Sequence, residues 1–407
     1  MMISHHSFHV FSFLLFVSFS FSFSYAHLRS IVPKEIHSRS FNSDSLNINI
    51  KANLSGYFSK VFAFGDSYTD TGNARLLGVL KSYVGGNLNS KLLGDRSSNG
   101  RMVVDFLCDS LNVPTLQPYK AISYNTFAIM GNSGVNFAIG GATSLSGDFF
   151  VNHKIGHTLM WKGIPFGFQT QIEWFNNFVT KIACKGKFEE ECKAELGKHL
   201  IWIGQIGVDD FVRVIGSSVS MRWLTDITIN HISKILTTVL DSGGKFFVVQ
   251  GLPPVGCFPL AKLLTPQSEK DEMGCSLVIN RAVMAHNKLL QKTLEDYRIK
   301  HGAEITISYA DYFNAYKTIM GNLAGFGFSD GSRACCGVGG GLLNFNLHNL
   351  CGMAGTTVCR NPADHVQWDG LHLTEAMHKE ITQLFLHEGF CKPSFYDIIS
   401  RRRNWRT

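Results

Sequence analysis

Apolar residues recur along the chain with two different periods. Short runs at residues 60–64, 135–138, 199–203, 245–250 and 304–309 are almost continuously apolar, and each is followed within two residues by Gly or Asp. That is the pattern of strands buried on both faces and ended by turns. Longer stretches lie between them, with apolar positions three or four residues apart. Residues 223–241 carry Ile227, Ile232, Ile235, Leu236, Val239 and Leu240, and residues 277–300 carry Val283, Leu289, Leu290 and Leu294. These read as amphipathic helices. Strands alternating with helices predict an α/β fold, a parallel sheet covered on both faces. Ligands of such sheets bind beyond the carboxyl ends of the strands, and three predicted strand ends lead into Ser67, Gly141 and Asp209.

The first of these ends has the most chemistry in it. Val61-Phe62-Ala63-Phe64 runs into Gly65-Asp66-Ser67, a strand that delivers a serine to a tight turn. Ser67 at the start of a following helix would have backbone N–H groups and the positive end of a helix dipole nearby, as a nucleophile needs for charge developing on a substrate oxygen. An N-cap serine fits the same local sequence. A second element decides between them. In Trp368-Asp369-Gly370-Leu371-His372, a carboxylate and an imidazole share one Gly-containing turn. A serine hydroxyl is a weak nucleophile until a base takes its proton, and the base works best when a third group fixes its tautomer. His372 is the candidate base and Asp369 its orienter.

With these motifs in hand, the chain resembles the plant GDSL-type esterase/lipases of the SGNH hydrolase superfamily, from about residue 60 to about residue 393. Phe64-Gly65-Asp66-Ser67 followed by Thr69-Asp70-Thr71-Gly72-Asn73 is similar to the family's first block, with Tyr68 where leucine or phenylalanine is usual. Val135-Asn136-Phe137-Ala138-Ile139-Gly140-Gly141-Ala142-Thr143 resembles the second, which implies an oxyanion-hole role for the Gly141 N–H beside that of Ser67. Trp368 to Ala376 resembles the last, which implies catalytic Ser67, Asp369 and His372. The resemblance also implies a three-layer α/β/α sandwich with a mainly parallel, five-stranded, flavodoxin-like sheet in the order 2-1-3-4-5, and esterase chemistry without a cofactor or a metal. The third block departs from the family. In Ile203-Gly204-Gln205-Ile206-Gly207-Val208-Asp209-Asp210-Phe211, Asp209 occupies the position of an asparagine whose amide is the third oxyanion donor. An ionised aspartate has no hydrogen to give, and losing one donor typically costs about 10²–10³ in rate. A carboxyl kept protonated by burial and by its neighbour Asp210 would still donate.

Composition narrows the setting. Hydrophobic residues make up 45% and charged residues 17%, enough for a sizeable core and far from the signature of disorder. Residues 11–24 are an uncharged Phe/Ser/Leu/Val run followed by Ser24-Tyr25-Ala26, a secretory signal peptide (residues 1–26) cleaved after Ala26. Residues 27–58 read as a polar lead-in, residues 59–395 as one hydrolase domain, and residues 396–407 as a solvated basic tail with weak affinity for anions or cell-wall polymer. Ten cysteines in the mature part suit an oxidising compartment, with Cys184 and Cys192, and Cys257 and Cys275, as near-sequence pairs. A zinc site in the Cys335, Cys336, Cys351, Cys359 and His348 cluster lacks the spacing of two Cys-x-x-Cys hooks. Asn53-Leu54-Ser55 is a glycosylation sequon, and His378 reads as an exposed helix residue. The net charge of +7 forms no basic stripe interleaved with aromatics, so nucleic acid is not an expected partner. The expected activity is a secreted serine hydrolase acting on lipid or other small ester substrates. Its rivals are an acyltransferase with the same residues and a non-catalytic extracellular binding protein on the same scaffold.

Overall fold

Four consecutive apolar residues have no polar side to turn to water, and β1 (Val61–Phe64) is buried along its whole length. The structure, a computed structural model, describes residues 53–78, 94–124, 133–155 and 166–405. The signal peptide and most of the lead-in lie outside the described residues. Beside β1 stand β2 (Gln117–Pro118), β3 (Val135–Asn136), β4 (Leu200–Ile203), β5 (Phe246–Gln250) and β6 (Thr306–Ala310). A small ribbon pairs β7 (Cys336–Gly337) with β8 (Thr357–Val358), and β9 (Cys391–Lys392) runs antiparallel along β6. The main sheet has the order β2-β3-β1-β4-β5-β6-β9, parallel except for β9. The five strands expected from sequence take the flavodoxin-like order. β2 and β9 extend the sheet to seven, and being two residues each they leave no periodicity to read.

Alternation along the strands sorts their side chains onto two faces. Val61, Ala63, Leu200, Trp202, Phe246 and Val248 belong to one core, and Phe62, Phe64, Ile201, Ile203, Phe247 and Val249 to the other. Helices that cover the sheet or frame the site include α1 (Val103–Leu111), α2 (Phe168–Phe178), α3 (Val208–Arg213), α4 (Met221–Asp241), α5 (Leu277–His301), α6 (Tyr312–Gly321), α7 (Glu375–His387) and α8 (Phe395–Asn404). Leu107 of α1, Tyr316 of α6, Ile381 of α7 and Ile398 of α8 pack on the first face. Phe175 of α2, Ile235 of α4 and Leu290 of α5 pack on the second. The result is an α/β/α sandwich.

Two sequence expectations change here. The basic segment after residue 395 is a helix rather than a solvated tail. Phe395, Ile398, Ile399 and Arg402 recur at helical spacing and are all buried, and Ser394 opens the helix by a capping box with Asp397. Its Arg402 guanidinium lies 6.0 Å and 5.9 Å from the Phe58 and Phe246 ring centroids, while Lys245 Nζ sits 3.7 Å over Trp405. Leu54 and Phe58, placed in the lead-in, are also buried and join the first core.

Eight of the ten cysteines pair as disulfides. Cys184–Cys192 and Cys257–Cys275 form as expected, and Cys335–Cys359 and Cys336–Cys351 staple the β7–β8 ribbon, so these four thiols are spent on bridges rather than on a metal. Cys108 and Cys391 are buried thiols. Among the described residues no helix is long and apolar enough to cross a membrane.

Candidate active site

β1 ends at Gly65, whose peptide is clamped by the Gln171 amide: Gly65 N–H donates to Gln171 Oε1 at 3.0 Å, and Gln171 Nε2 donates to Gly65 O at 2.7 Å. The chain then closes one turn, with the Thr69 and Asp70 N–H groups donating to Asp66 O at 3.0 and 2.9 Å. Ser67 rides on this turn and is 5% exposed. The next helical turn, Asn73–Leu76, begins six residues later with Gly72 at its cap, so Ser67 neither caps a helix nor faces a helix dipole as the sequence led us to expect. The turn is held instead by polar side chains. Asp70 accepts from the N–H groups of Gly72, Asn73, Ala74 and Gly140 at 2.6–2.8 Å. Asn73 Nδ2 donates to Asn136 O and Ala138 O at 2.8 Å, and Asn136 Nδ2 returns a 2.6 Å bond to Thr69 O. Burial raises the Asp70 pKa, and its four N–H partners counter that only in part.

These bonds bring the end of β3 against the serine. A Cβ on Gly140 would stand 3.7 Å from Ser67 Cβ. Gly141 follows with φ +78°, a backbone conformation that an L side chain rarely adopts. Among the described residues neither the Ser67 nor the Gly141 N–H makes a hydrogen bond.

The segment 366–373 supplies the imidazole. Cys335 N and Cys336 N of the disulfide-stapled ribbon donate to Gln367 O and Trp368 O at 3.0 and 2.6 Å, which fixes the backbone immediately before Asp369. Gly370 packs so closely on Phe345 that a Cβ there would meet the ring at 1.9 Å. Asp369 Oδ1 accepts from the N–H groups of Leu371 and His372 at 2.7 Å each. Asp369 Oδ2 lies 2.9 Å from His372 Nδ1, and His372 Nε2 lies 2.9 Å from Ser67 Oγ. Burial pushes the Asp369 pKa up, but the imidazole and the N–H donors outweigh it and hold the carboxyl below its ordinary range. Burial likewise disfavours the imidazolium, yet Asp369 and, to a lesser extent, Asp209 raise the His372 pKa above its usual value. The structure therefore brings together Ser67, His372 and Asp369, about three hundred residues apart in sequence, in one hydrogen-bonded line.

Tyr68 joins the two halves of this line. Its hydroxyl donates to Leu371 O at 2.5 Å, and its ring lies 5.7 Å from that of His372. Tyr68→Phe is expected to lower stability by about 1–2 kcal/mol through the lost donor. It should also lower kcat by about three- to tenfold with KM little changed, measured by denaturant unfolding and steady-state kinetics. An unchanged midpoint and rate would show that the bond positions nothing. His378, expected on the surface, is 1% exposed and meets the other side of Tyr68 edge-on at 6.0 Å. Burial drives its pKa down to about 3, which keeps it neutral.

The end of β4 leads through Gly207 into α3, which carries Asp209 and Asp210 at its start. Asp210 accepts from the N–H groups of Ser144 and Leu145 at 2.9–3.0 Å, tying α3 to the chain after Gly141. Asp209 is wholly buried, and neither of its oxygens meets an N–H or hydroxyl donor. Burial raises its pKa to about 6, against the pull of Arg213 and His372. Asn53, the sequon residue, is exposed, and its Oδ1 accepts from Ser55 N–H at 2.9 Å.

Sequence reasoning singled out Ser67, Gly141, Asp209, Asp369 and His372. It gave no role to Asp66, Asp70, Asn73, Asn136, Gln171 or Gln205, the buried polar residues that hold the serine turn. For Asp66, Asp70, Asn73, Asn136 and Gln205 the signal was polar side chains inside or soon after otherwise apolar strand ends, and for Gln171 a buried polar residue on the apolar face of α2, where burial demands a hydrogen-bond partner.

The GDSL-like lipase/acylhydrolase family model matches residues 61–385. A GDSL esterase/lipase of Arabidopsis thaliana is 35% identical over 87% of this chain and 92% of its own length. Acetylajmalan esterase 2 of Rauvolfia serpentina is 33% identical over 81% of this chain and 90% of its own, and the sinapine esterase of Brassica napus 30% over 83% and 87%. The chain thus belongs to the GDSL-like lipase/acylhydrolase family and is an ester hydrolase of the plant GDSL esterase/lipase type.

Proposed function

We propose that this protein hydrolyses carboxylic esters through a covalent acyl-enzyme on Ser67. The observation that carries this reading is the line of two 2.9 Å contacts from Ser67 Oγ through His372 to Asp369. Ser67 Oγ attacks the acyl carbon as His372 Nε2 takes its proton, and the Ser67 and Gly141 N–H groups receive the oxyanion. The imidazolium, steadied by Asp369, then protonates the leaving alcohol as the ester C–O bond breaks. Water repeats the sequence on the acyl-enzyme, with the proton passing through His372 again, and frees the acid and Ser67. Four disulfides and the leader-like residues 1–26 support secretion into an oxidising compartment, with a glycan on exposed Asn53.

The reaction needs neutral His372 and ionised Asp369. Because the His372 pKa is raised, kcat/KM should fall as pH drops through a value above the ordinary 6.5 of histidine. The lowered Asp369 pKa keeps its carboxylate charged throughout that range. Hydrolysis of short-chain aryl esters by the purified wild type across pH tests this. An acidic limb well below pH 6.5 contradicts the assigned base, and hydrolysis that owes nothing to Ser67 contradicts the mechanism.

A further inference from the structure

We propose that the Cys335–Cys359 and Cys336–Cys351 disulfides are positioning elements of the catalytic site: they hold the backbone that aims Asp369 at His372, so that reducing them slows ester hydrolysis while the chain stays folded. This rests on the serine-hydrolase reading above and adds to it a dependence on the redox state of four cysteines.

The ribbon with these bridges cannot hold itself. β7 and β8 are two residues each, the chain between them forms only turns, and a two-stranded ribbon is marginal in water at best. Its cross-strand support is largely covalent: the bridges span 24 and 15 residues, beside a 2.7 Å bond from Cys359 N–H to Cys335 O. Cys335, Cys336, Cys351 and Trp368 form a small buried cluster apart from the two main cores, with Cys359 packed against it. Four residues bury too little apolar surface to persist as a core alone, the setting in which cross-links replace packing.

That cluster grips the stem of the catalytic loop. Trp368, the residue before Asp369, puts its side chain into the cluster, and the Cys335 and Cys336 N–H groups donate to Gln367 O and Trp368 O at 3.0 and 2.6 Å. Trp368 N–H in turn donates to His372 O at 2.8 Å, which closes the loop at its base. Phe345, within the span of both bridges, packs on Gly370. The far side of the loop is held from other parts of the fold: Leu260 N–H donates to Gly370 O at 3.0 Å, the Tyr68 hydroxyl to Leu371 O at 2.5 Å and Ser98 Oγ to Leu373 O at 2.9 Å. Opening the bridges therefore slackens residues 367–369 and leaves the rest of the loop in place, so Asp369 loses its aim without the chain unfolding. Cys359 is partly exposed, which admits a thiol to one sulfur of its pair. A dithiol such as dithiothreitol cleaves each S–S bond into two cysteine thiols and is itself oxidised to a disulfide.

Cys336→Ser/Cys351→Ser should lower kcat by about 10- to 100-fold with KM little changed, the scale of a catalytic group displaced by roughly 1 Å. Against burial, Asp369 holds the His372 pKa up, so with the carboxylate displaced the acidic limb of kcat/KM should move to lower pH. In an Asp369→Asn background the same two substitutions should cost less than about twofold, because the group they position is already disabled. Cys184→Ser/Cys192→Ser opens a bridge beside the second core and should keep the wild-type rate and limb. If the ribbon variant does not fold, graded dithiothreitol on the folded wild type gives the same readout: alkylation and peptide mass spectrometry identify the opened bridges, and kcat should fall in step with the ribbon pair while far-UV circular dichroism holds. An unchanged rate with both ribbon bridges open, an acidic limb that stays in place, an equal further loss in Asp369→Asn, or the same loss in Cys184→Ser/Cys192→Ser would each overturn the proposal. Ser67→Ala run alongside separates the two layers: if it matches wild type, the hydrolase mechanism itself fails, whereas an inactive Ser67→Ala beside a fully active ribbon variant overturns this proposal alone.

Discussion

Ser67→Ala is expected to lower kcat on aryl esters by about 10⁶-fold while the fold is retained, as measured by steady-state kinetics together with thermal unfolding. The size of the effect comes from the unity of the site. Ser67 Oγ is the group that bonds to the acyl carbon, and without it the 2.9 Å contact from His372 has no proton to take. What survives is the rate provided by the oxyanion donors alone. Because serine and imidazole act as one unit, Ser67→Ala/His372→Ala should be no slower than Ser67→Ala. The Ser67 side chain fills little space and its turn is held by Gln171, Asp70 and Asn136, so removing one hydroxyl should leave the unfolding midpoint nearly unmoved. A loss of activity accompanied by unfolding would mean that the serine is structural; a loss of less than tenfold would remove it from the mechanism.

The second large effect is expected at Asp369. Asp369→Asn should lower kcat by about 10⁴-fold, because an amide facing His372 Nδ1 stabilises the wrong tautomer and cannot steady the imidazolium. The carboxylate does two jobs at once. Oδ2 faces the imidazole at 2.9 Å, while Oδ1 collects the Leu371 and His372 N–H groups at 2.7 Å each and so shapes the loop that carries the base. Asparagine keeps an oxygen for the second job and fails at the first. Removing the charge also removes the main influence that raises the His372 pKa, so the residual activity should show its acidic limb at lower pH than the wild type. Kinetics of Asp369→Asn across pH check both parts. An acidic limb that stays in place would show that Asp369 does not set the protonation of the base.

The five central strands and the two long helices were legible because they are continuous: a run of buried residues or an amphipathic repeat leaves a period. The edge strands β2 and β9 are two residues long and depend on their neighbours for existence, so no local pattern announces them. α8 was concealed by its arginines. Arg402 reads as solvated in sequence, yet it is buried, with its guanidinium 6.0 Å from the Phe58 ring and 5.9 Å from the Phe246 ring, an environment that only the fold creates. His378 was misplaced for a related reason: one histidine in a helix does not reveal its face, and the Tyr68 ring it meets at 6.0 Å lies about three hundred residues upstream. The line of Ser67, His372 and Asp369 could be anticipated from spacing and resemblance, but its support could not. Gln171, Asn136 and Gln205 reach the serine turn from other elements, and Asp209's lack of donors is a property of what surrounds it.

The central claim is that the acyl group passes through Ser67. Its most direct test is to inactivate the purified protein with a fluorophosphonate and locate the adduct by peptide mass spectrometry. We expect one phosphonyl group per chain, on the Ser67 peptide, bound in proportion to the ester hydrolysis lost, and no labelling of Ser67→Ala. An adduct on any other residue that accounts for the inactivation, or full hydrolysis by protein stoichiometrically labelled at Ser67, would contradict it.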